Sequence, residues 1–226
     1  MYNQQDNYRI QGFSFLPPVV KNLLILNVLF YLADISLATR GIDLSRWLGL
    51  HYFTAQNFYP FQFLTYMFMH GNFSHLFFNM FALWMFGYAL ENYWGSKRFL
   101  LYYLVTGIGA GLIQSGVQAW ELVPLMQKYD PFSVQQYVDN IVTVGASGAV
   151  FGILLAFGMC FPNVPIYLYF FIPIRAKWFV IIYGAIELFA GIGGTADGVA
   201  HFAHLGGMIF GFLLILYWKK RGSRIR

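Results

Sequence analysis

The residues in this chain that could do chemistry are a serine set among glycines and several histidines distant from it in sequence. Ser147 lies in TVGASGAVFG, residues 143–152, where a polar loop becomes an apolar helix. Gly145 and Gly148 allow the backbone to approach the hydroxyl closely on both sides, and a helix start leaves N–H groups without intrahelical acceptors. Because such groups favour developing negative charge, this stretch has the parts that a serine nucleophile needs.

The same glycines also have a plainer interpretation. Gly148 and Gly152 form a small-xxx-small pair, which lets two membrane helices pack closely together. The serine stretch alone does not choose between the two interpretations. A soluble-type lipase signature is excluded, because it requires glycine where this chain has Ala149.

Further polar residues could act together with Ser147. His201 could take the proton from the serine hydroxyl. His75 and Asn79, one helical turn apart, could donate to an oxyanion together with the backbone N–H of Ser147. No acidic third member is evident for this pair, and Asp197 lies in a turn and is not assigned to it.

Two other classes of site would use the same polar residues. Four histidines could ligate a metal or hold a haem, namely His70, His75, His201 and His204. No carboxylate or thiolate joins them, and the serine and its glycines would stay unexplained, so we expect no metal and no cofactor. Glu187 could mark a channel or transporter, or be a carboxyl held neutral or hydrogen-bonded to a neighbouring helix. No inverted repeat of broken helices supports transport.

Composition places these residues in a membrane protein. Of the 226 residues, 58% are hydrophobic and 10% are charged, against about 25% charged in soluble domains. The lipid bilayer is therefore one partner. The net charge of +5 does not indicate nucleic acid, because in a membrane chain the location of basic residues matters more than their sum. The single cysteine, Cys160, lies in an apolar run and is expected to pack.

Hydropathy predicts an all-α membrane protein with six transmembrane helices. The predicted spans are about 19–38, 74–90, 99–119, 147–160, 178–192 and 199–218. The aromatic connections 39–68 and 161–175 are expected to lie in the membrane interface, and 120–144 is expected to be a polar loop. The predicted organisation is a cytoplasmic N-terminal segment at 1–18 without a cleavable signal peptide, a six-span domain at 19–218 and a basic cytoplasmic tail at 219–226.

The basic residues orient this bundle. Six spans put both termini on one side, where every Lys and Arg falls except Arg40, Arg46 and Lys128. Both termini are therefore predicted to be cytoplasmic. The second, fourth and sixth spans then enter the membrane from the outer face. They begin near His75, Ser147 and the pair His201/His204, so these polar residues are expected to lie at one depth. The glycine-rich turn at 191–198 is expected to be a cap that moves to admit water or substrate.

Four segments together resemble the rhomboid family of intramembrane serine proteases. They are HGNFSHLFFN at 70–79, ENYWGSKRF at 91–99, GASGAVFG at 145–152 and AHFAHLGG at 200–207. The resemblance covers nearly all of residues 19–218 in matching order. It departs from the family in the first loop, where Phe61-Gln62 stands in place of a usual Trp-Arg pair, which bears on how the loop is anchored.

The resemblance implies a six-transmembrane-helix rhomboid-like bundle that cleaves transmembrane protein substrates with a dyad of Ser147 and His201. His201 is chosen because it follows Ala200 as in the family pattern, and His204 is then expected to pack behind the dyad. The resemblance also implies that His75 and Asn79 join the Ser147 amide in an oxyanion hole. Phe151 is expected to stack on the catalytic imidazole. The resemblance is to the bacterial, six-span type and so implies a bacterial inner membrane. The alternative within the family is an inactive relative that binds membrane clients.

Overall fold

The computed structural model describes residues 14–168, 171–193 and 199–222. Helices dominate these residues, which confirms the all-α class. The helices are α1 (Pro18–Ala38), α2 (Ser45–Leu48), α3 (Gln62–Thr65), α4 (Phe73–Trp94), α5 (Ser96–Lys128), α6 (Pro131–Asn140), α7 (Ser147–Cys160), α8 (Ala176–Gly193) and α9 (His201–Lys220). The strands are β1 (Leu50–His51), β2 (Val142–Thr143), β3 (Pro165–Leu168) and β4 (Ile172–Arg175), and a 3-10 turn covers Tyr66–Phe68.

Five of these helices are long and apolar enough to cross a membrane: α1, α4, α5, α8 and α9. This makes the chain an integral, multi-pass membrane protein. Helix α7, the fourth expected span, has 14 residues and falls short of the length of the others. The count of six spans therefore stays a prediction, as does the division of the chain at 18/19 and 218/219.

Helix α7 lies at the centre of the bundle. Helices α4, α5, α8 and α9 all pack against it, and nearly every one of its side chains is buried. Its sequence explains this position, because a helix that is apolar on every face can be surrounded on every face. Helices α1 and α8 instead expose large apolar side chains such as Leu29 and Phe189 on their outer faces. The first residue of α7, Ser147, is therefore held in position by the four helices that pack around α7.

Glycines bring α7 into close contact with its neighbours. A methyl group on Gly207 of α9 would overlap the carbonyl group of Gly148 of α7, and one on Gly148 would overlap Ala110 of α5. A methyl group on Gly152 would lie 2.7 Å from the side chain of Thr106, also on α5. The helix-packing interpretation of Gly148 and Gly152 is therefore correct. It is compatible with a reactive serine beside them.

The first connection folds around a buried glutamine. The side chain of Gln62 accepts hydrogen bonds from the backbone N–H of His51 at 3.3 Å and of Tyr59 at 3.2 Å. It donates to the carbonyl oxygens of Trp47 and Asn57 at 3.1 and 2.7 Å. The loop is thus anchored although Phe61-Gln62 stands in place of the family's usual Trp-Arg pair. The buried amide of Gln62 bonds to four backbone groups of the loop. Strand β1 of the same connection pairs antiparallel with β2, which leads to Ser147.

The expected polar loop at 120–144 is mostly helical, which corrects the prediction. Helix α5 continues through Pro124 to Lys128, and α6 follows almost at once. A proline inside a helix removes one backbone hydrogen bond and lowers intrinsic stability. A second small core beneath the first connection offsets this loss, because both helices bury apolar side chains in it. Its members are Tyr52, Ala55, Leu122, Val134 and Val138.

A buried carboxylate joins the start of α1 to the junction between α4 and α5. Glu91 accepts hydrogen bonds from the backbone N–H of Val19 at 3.0 Å and of Val20 at 2.8 Å. The hydroxyl of Ser96 donates to the same side chain at 2.6 Å. An anion here satisfies free N–H groups and complements the positive end of the helix dipole. The ENYW segment of the sequence therefore has a structural role in the bundle.

Candidate active site

Ser147 is the first residue of α7, so its backbone N–H and those that follow in the first turn lack intrahelical acceptors. Gly145 has φ of +130°, a conformation that residues with a Cβ rarely adopt. Its N–H donates to the carbonyl oxygen of Tyr66 at 2.9 Å, which fixes the turn against the preceding loop. The sequence thus places the serine hydroxyl at an electropositive helix start on a short, anchored turn.

The imidazole of His204 lies beside the Ser147 hydroxyl. The distance between Nε2 of His204 and Oγ of Ser147 is 2.8 Å. Phe151, one turn along α7 from the serine, stacks on the same imidazole with ring centroids 4.2 Å apart and planes inclined by 7°. Hydrogen bond and stacking together fix the imidazole in position and plane. His204 itself is buried, with 8% of its surface exposed.

Glu187 of α8 contacts this imidazole from the other side. Its Oε2 lies 2.8 Å from Nδ1 of His204 and 2.7 Å from Nδ1 of His201. The carboxyl group is 7% exposed. The interpretation of Glu187 as a carboxyl hydrogen-bonded to a neighbouring helix is therefore confirmed. No acidic third member was evident in the sequence, and the structure places Glu187 in that position.

The expected pairing of His201 with Ser147 needs correction, because the histidine that bonds the serine is His204. His201 opens α9 and directs its Nδ1 to Glu187, with its ring centroid 6.4 Å from that of His204 and nearly perpendicular to it. Phe151 stacks on an imidazole as expected, but on that of His204. The role predicted for His201 therefore belongs to His204, and His201 lies behind it.

A signal in the sequence could have separated the two histidines. His204 is followed at i+3 and i+7 by Gly207 and Gly211, whereas His201 is followed at those positions by His204 and Met208. Residues three and seven apart share one face of a helix. The glycine face is the one that approaches other helices most closely, since Gly207 contacts Gly148 and Gly211 contacts Tyr102. The histidine on that face is the one that can reach Ser147.

The structure brings His75 and Asn79 to the same place. A methyl group on Gly145 would lie 2.8 Å from Nε2 of His75 and 3.5 Å from Oγ of Ser147. The imidazole and the hydroxyl therefore border one small space that glycine leaves open. Asn79 is buried, and its Nδ2 donates to the carbonyl oxygen of His75 at 2.8 Å. That bond uses one of the two amide hydrogens and leaves the second for another acceptor.

His70 lies against His75 and apart from the serine. The two ring centroids are 5.0 Å apart. Burial is the main cause, and the nearby His75 a smaller one, of a pKa of His70 that is lowered to about 4. At neutral pH His70 is therefore uncharged and adds no charge beside His75.

Among the described residues, the group that could hold a metal ion is Glu187, His201 and His204, whose ligand atoms lie within 4.8 Å of one another. Ligand atoms held tetrahedrally at about 2.0 Å from zinc are separated from each other by about 3.3 Å. The carboxylate oxygen here lies only 2.7 and 2.8 Å from the two nitrogens. Those distances are typical of hydrogen bonds to a charged acceptor. The three side chains are therefore arranged for hydrogen bonds between the carboxylate and the two imidazoles, and not for a bound metal ion.

A cavity of about 800 Å³ opens beside these groups. Ser147, His204, His75 and Asn79 all line it. Apolar side chains of α4, α7 and α8 form much of the remaining wall, and Gln114 and Gln118 of α5 also line the cavity. The space is large enough for a segment of polypeptide and water, beside the serine hydroxyl. The expected cap at 191–198 and Asp197 fall largely outside the described residues.

Comparisons with known proteins agree with this architecture. The model of the Rhomboid domain matches residues 57–221. Rhomboid-like protein 11, chloroplastic, of Arabidopsis thaliana is 34% identical over 85% of this chain and 62% of its own length. Rhomboid protease AarA of Providencia stuartii is 32% identical over 66% of this chain and 52% of its own length. Rhomboid protease GluP of Bacillus subtilis is 35% identical over 66% of this chain and 24% of its own length.

The molecule is thus a helical membrane protein with a serine and an imidazole hydrogen-bonded in a cavity among its helices. It belongs to the rhomboid family. The chain spans about half to three fifths of the length of the first of these relatives. Some relatives come from bacteria and others are named as chloroplastic or mitochondrial, so family membership does not select one membrane. The bacterial inner membrane stays a prediction.

Proposed function

We propose that this chain is an intramembrane serine endopeptidase that hydrolyses peptide bonds in or near transmembrane segments of membrane proteins. The observation that carries the proposal is the 2.8 Å hydrogen bond between Ser147 Oγ and His204 Nε2 at the start of a buried helix. A nucleophile within hydrogen-bond reach of a base, beside free N–H groups, is the arrangement that acyl transfer requires. Family membership and the two relatives named as rhomboid proteases support the same function.

In the proposed reaction, His204 accepts the hydroxyl proton while Ser147 Oγ attacks the carbonyl carbon of the scissile bond. The backbone N–H of Ser147, with His75 and Asn79, donates hydrogen bonds to the oxyanion that forms. The protonated imidazole then gives its proton to the leaving amine, and an acyl-enzyme remains. A water molecule in the cavity attacks that ester with His204 again acting as base, which releases the second product and restores the serine.

The proposed substrate must present an unwound peptide bond. In an α-helix each carbonyl oxygen accepts a hydrogen bond and is shielded by side chains, so neither the nucleophile nor oxyanion donors can reach it. We therefore expect cleavage at sites where small or helix-breaking residues weaken a transmembrane helix. The apolar walls of the cavity suit such a segment, because Phe78, Met85 and Leu154 line it together with the polar groups.

The test is labelling and cleavage by the purified, detergent-solubilised full chain. A fluorophosphonate should label Ser147, and mass spectrometry should find the adduct on that residue. A model transmembrane substrate should be cut by the wild-type chain, whereas Ser147→Ala should show neither label nor cleavage. A folded wild-type chain that neither labels nor cuts would instead be the inactive client-binding relative.

We also propose that both termini face the cytoplasm, so that the cavity opens towards the opposite side. Basic residues support this orientation, since Lys219, Lys220 and Arg221 cluster at the end of α9 and the positive-inside rule places such clusters in the cytoplasm. A reporter that is active only in the cytoplasm, fused after Arg226, should be active. Activity of a reporter that works only outside would reverse the orientation.

A further inference from the structure

Glu187 is a carboxyl group in an apolar membrane helix, and something must offset the free-energy cost of placing it there. Its Oε2 lies within hydrogen-bond distance of two imidazole nitrogens, Nδ1 of His204 at 2.8 Å and Nδ1 of His201 at 2.7 Å. All three groups come from the facing sides of α8 and α9. The carboxyl group is therefore placed directly behind the imidazole that contacts the serine.

The chemistry of a carboxylate decides where the proton of His204 resides. An ionised carboxylate only accepts hydrogen bonds, so Nδ1 of His204 must carry hydrogen in order to bond to it. A neutral imidazole protonated on Nδ1 has a lone pair on Nε2, which is the atom that faces Ser147 Oγ. The same carboxylate stabilises the imidazolium that forms when the serine proton is taken.

We propose that Glu187 is a positioning residue that holds His204 in the tautomer able to accept the proton of Ser147. Ser147, His204 and Glu187 then form a continuous chain of hydrogen bonds. His201 is a second donor to the same carboxylate oxygen. This inference rests on the proposed protease function, because it assigns a role within that reaction. It places a carboxylate of α8 behind the serine of α7 and the imidazole of α9, which remain the reacting pair.

His201 has a supporting part in this arrangement. Its Nδ1 lies 2.7 Å from the oxygen that His204 also contacts, and it must donate there if the carboxylate is ionised. Two donors in turn favour the ionised carboxylate over the protonated acid. The His201 ring is nearly perpendicular to that of His204, so it contacts the carboxylate from a different direction. Glu187 is thereby fixed from two sides, which limits the rotation of its side chain.

The first test compares two buried carboxylates that are each changed to the amide of the same shape. Glu187→Gln removes the acceptor-only group behind His204, so kcat should fall by on the order of 10²–10⁴ while KM changes less than about threefold. Glu91→Gln is the matched control, because Glu91 is also buried and, within the described part of the chain, accepts hydrogen bonds from backbone N–H groups and a serine at the other end of α4. It should lower the melting temperature and leave kcat of the folded protein within about threefold.

A conservative variant separates positioning from packing. Glu187→Asp keeps an acceptor-only carboxylate with a shorter reach, so its kcat should exceed that of Glu187→Gln by at least about tenfold. A Glu187→Gln protein that is less stable but keeps wild-type kcat would show that Glu187 only joins α8 to α9, and would overturn the inference. Loss of activity with a chelator and recovery with Zn²⁺ would assign the cluster to a metal and overturn it as well.

The second test reads the tautomer directly and does not require catalysis. Nitrogen-15 NMR of histidine-labelled full chain should show His204 protonated on Nδ1 in the wild type and on Nε2, or as a mixture, in Glu187→Gln. A wild-type His204 protonated on Nε2 would overturn the inference even if the protein cleaves substrate. A wild type with no activity would instead overturn the proposed function, and the tautomer would still decide whether Glu187 orients the imidazole.

Discussion

Replacing each of the two histidines of α9 in turn is the most direct test of which one is the base. His201 and His204 are the same residue type on the same helix, three positions apart, and both bond to Glu187. Only His204 is hydrogen-bonded to Ser147 Oγ, at 2.8 Å. His204→Ala should therefore abolish the reaction, whereas His201→Ala should only weaken it. Each variant is the matched control for the other.

The expected magnitudes follow from these contacts. Removing the base of a serine and histidine that act as a unit costs about as much as removing the nucleophile, on the order of 10⁴–10⁶ in kcat. This corresponds to about 5–8 kcal/mol of transition-state stabilisation. His201→Ala removes the 2.7 Å contact to Glu187 and leaves the one from His204 in place, so we expect about tenfold or less. The two variants should differ by at least about 10³.

The assay has two independent readouts. The rate of fluorophosphonate labelling reports whether Ser147 is activated, and cleavage of a model transmembrane substrate gives kcat and KM. Melting temperatures of both variants in the same detergent establish that each is folded. The reasoning is refuted if folded His204→Ala still labels at a rate near that of the wild type while His201→Ala does not. That outcome would restore His201 as the base and would require α9 to rotate.

Three further variants test the surroundings of the serine. Asn79→Ala should lower kcat by on the order of 10²–10³ with the fold intact, because it removes one proposed oxyanion donor; unchanged kinetics would exclude this role. Gly145→Ala should be close to inactive, since a methyl group meets the imidazole of His75 at 2.8 Å and φ is +130°; wild-type labelling would contradict the geometry of the turn. Gly207→Ala should destabilise the bundle by about 1–3 kcal/mol, because its methyl group would overlap the backbone of Gly148; an unchanged melting temperature would show that α9 can shift.

Much of the fold could be predicted because membrane helices follow from runs of apolar residues. Five of the predicted spans correspond to long apolar helices, and α7 was found in its expected place although it is short. The extension of α5 past Pro124 could not be read from the sequence, since local signals there favour a loop. Packing between α5, α6 and the first connection, far apart in sequence, stabilises the helix instead.

The candidate site was predicted in part for a similar reason. Ser147 and Phe151 lie one turn apart in α7, so their relation to each other is local and can be read from spacing. The partner of Ser147 depends on which face of α9 packs against α7, and Ala200-His201 and Ala203-His204 look alike when only the preceding residue is considered. Glu187 was missed as a partner because nothing in the sequence shows that α8 and α9 face each other at that level.

The shortness of α7 has a consequence for where the chemistry takes place. Fourteen helical residues extend over about 21 Å, whereas the hydrocarbon of a bilayer is about 30 Å thick. If α7 is centred in the hydrocarbon, it begins about 4–5 Å beneath the lipid headgroups. The Ser147 hydroxyl would then lie below the headgroups, close to the depth at which the helix of a proposed transmembrane substrate ends. In bilayers with longer acyl chains the Ser147 hydroxyl should lie deeper below the headgroups, and water should reach it more slowly. We therefore expect kcat to fall as the membrane becomes thicker.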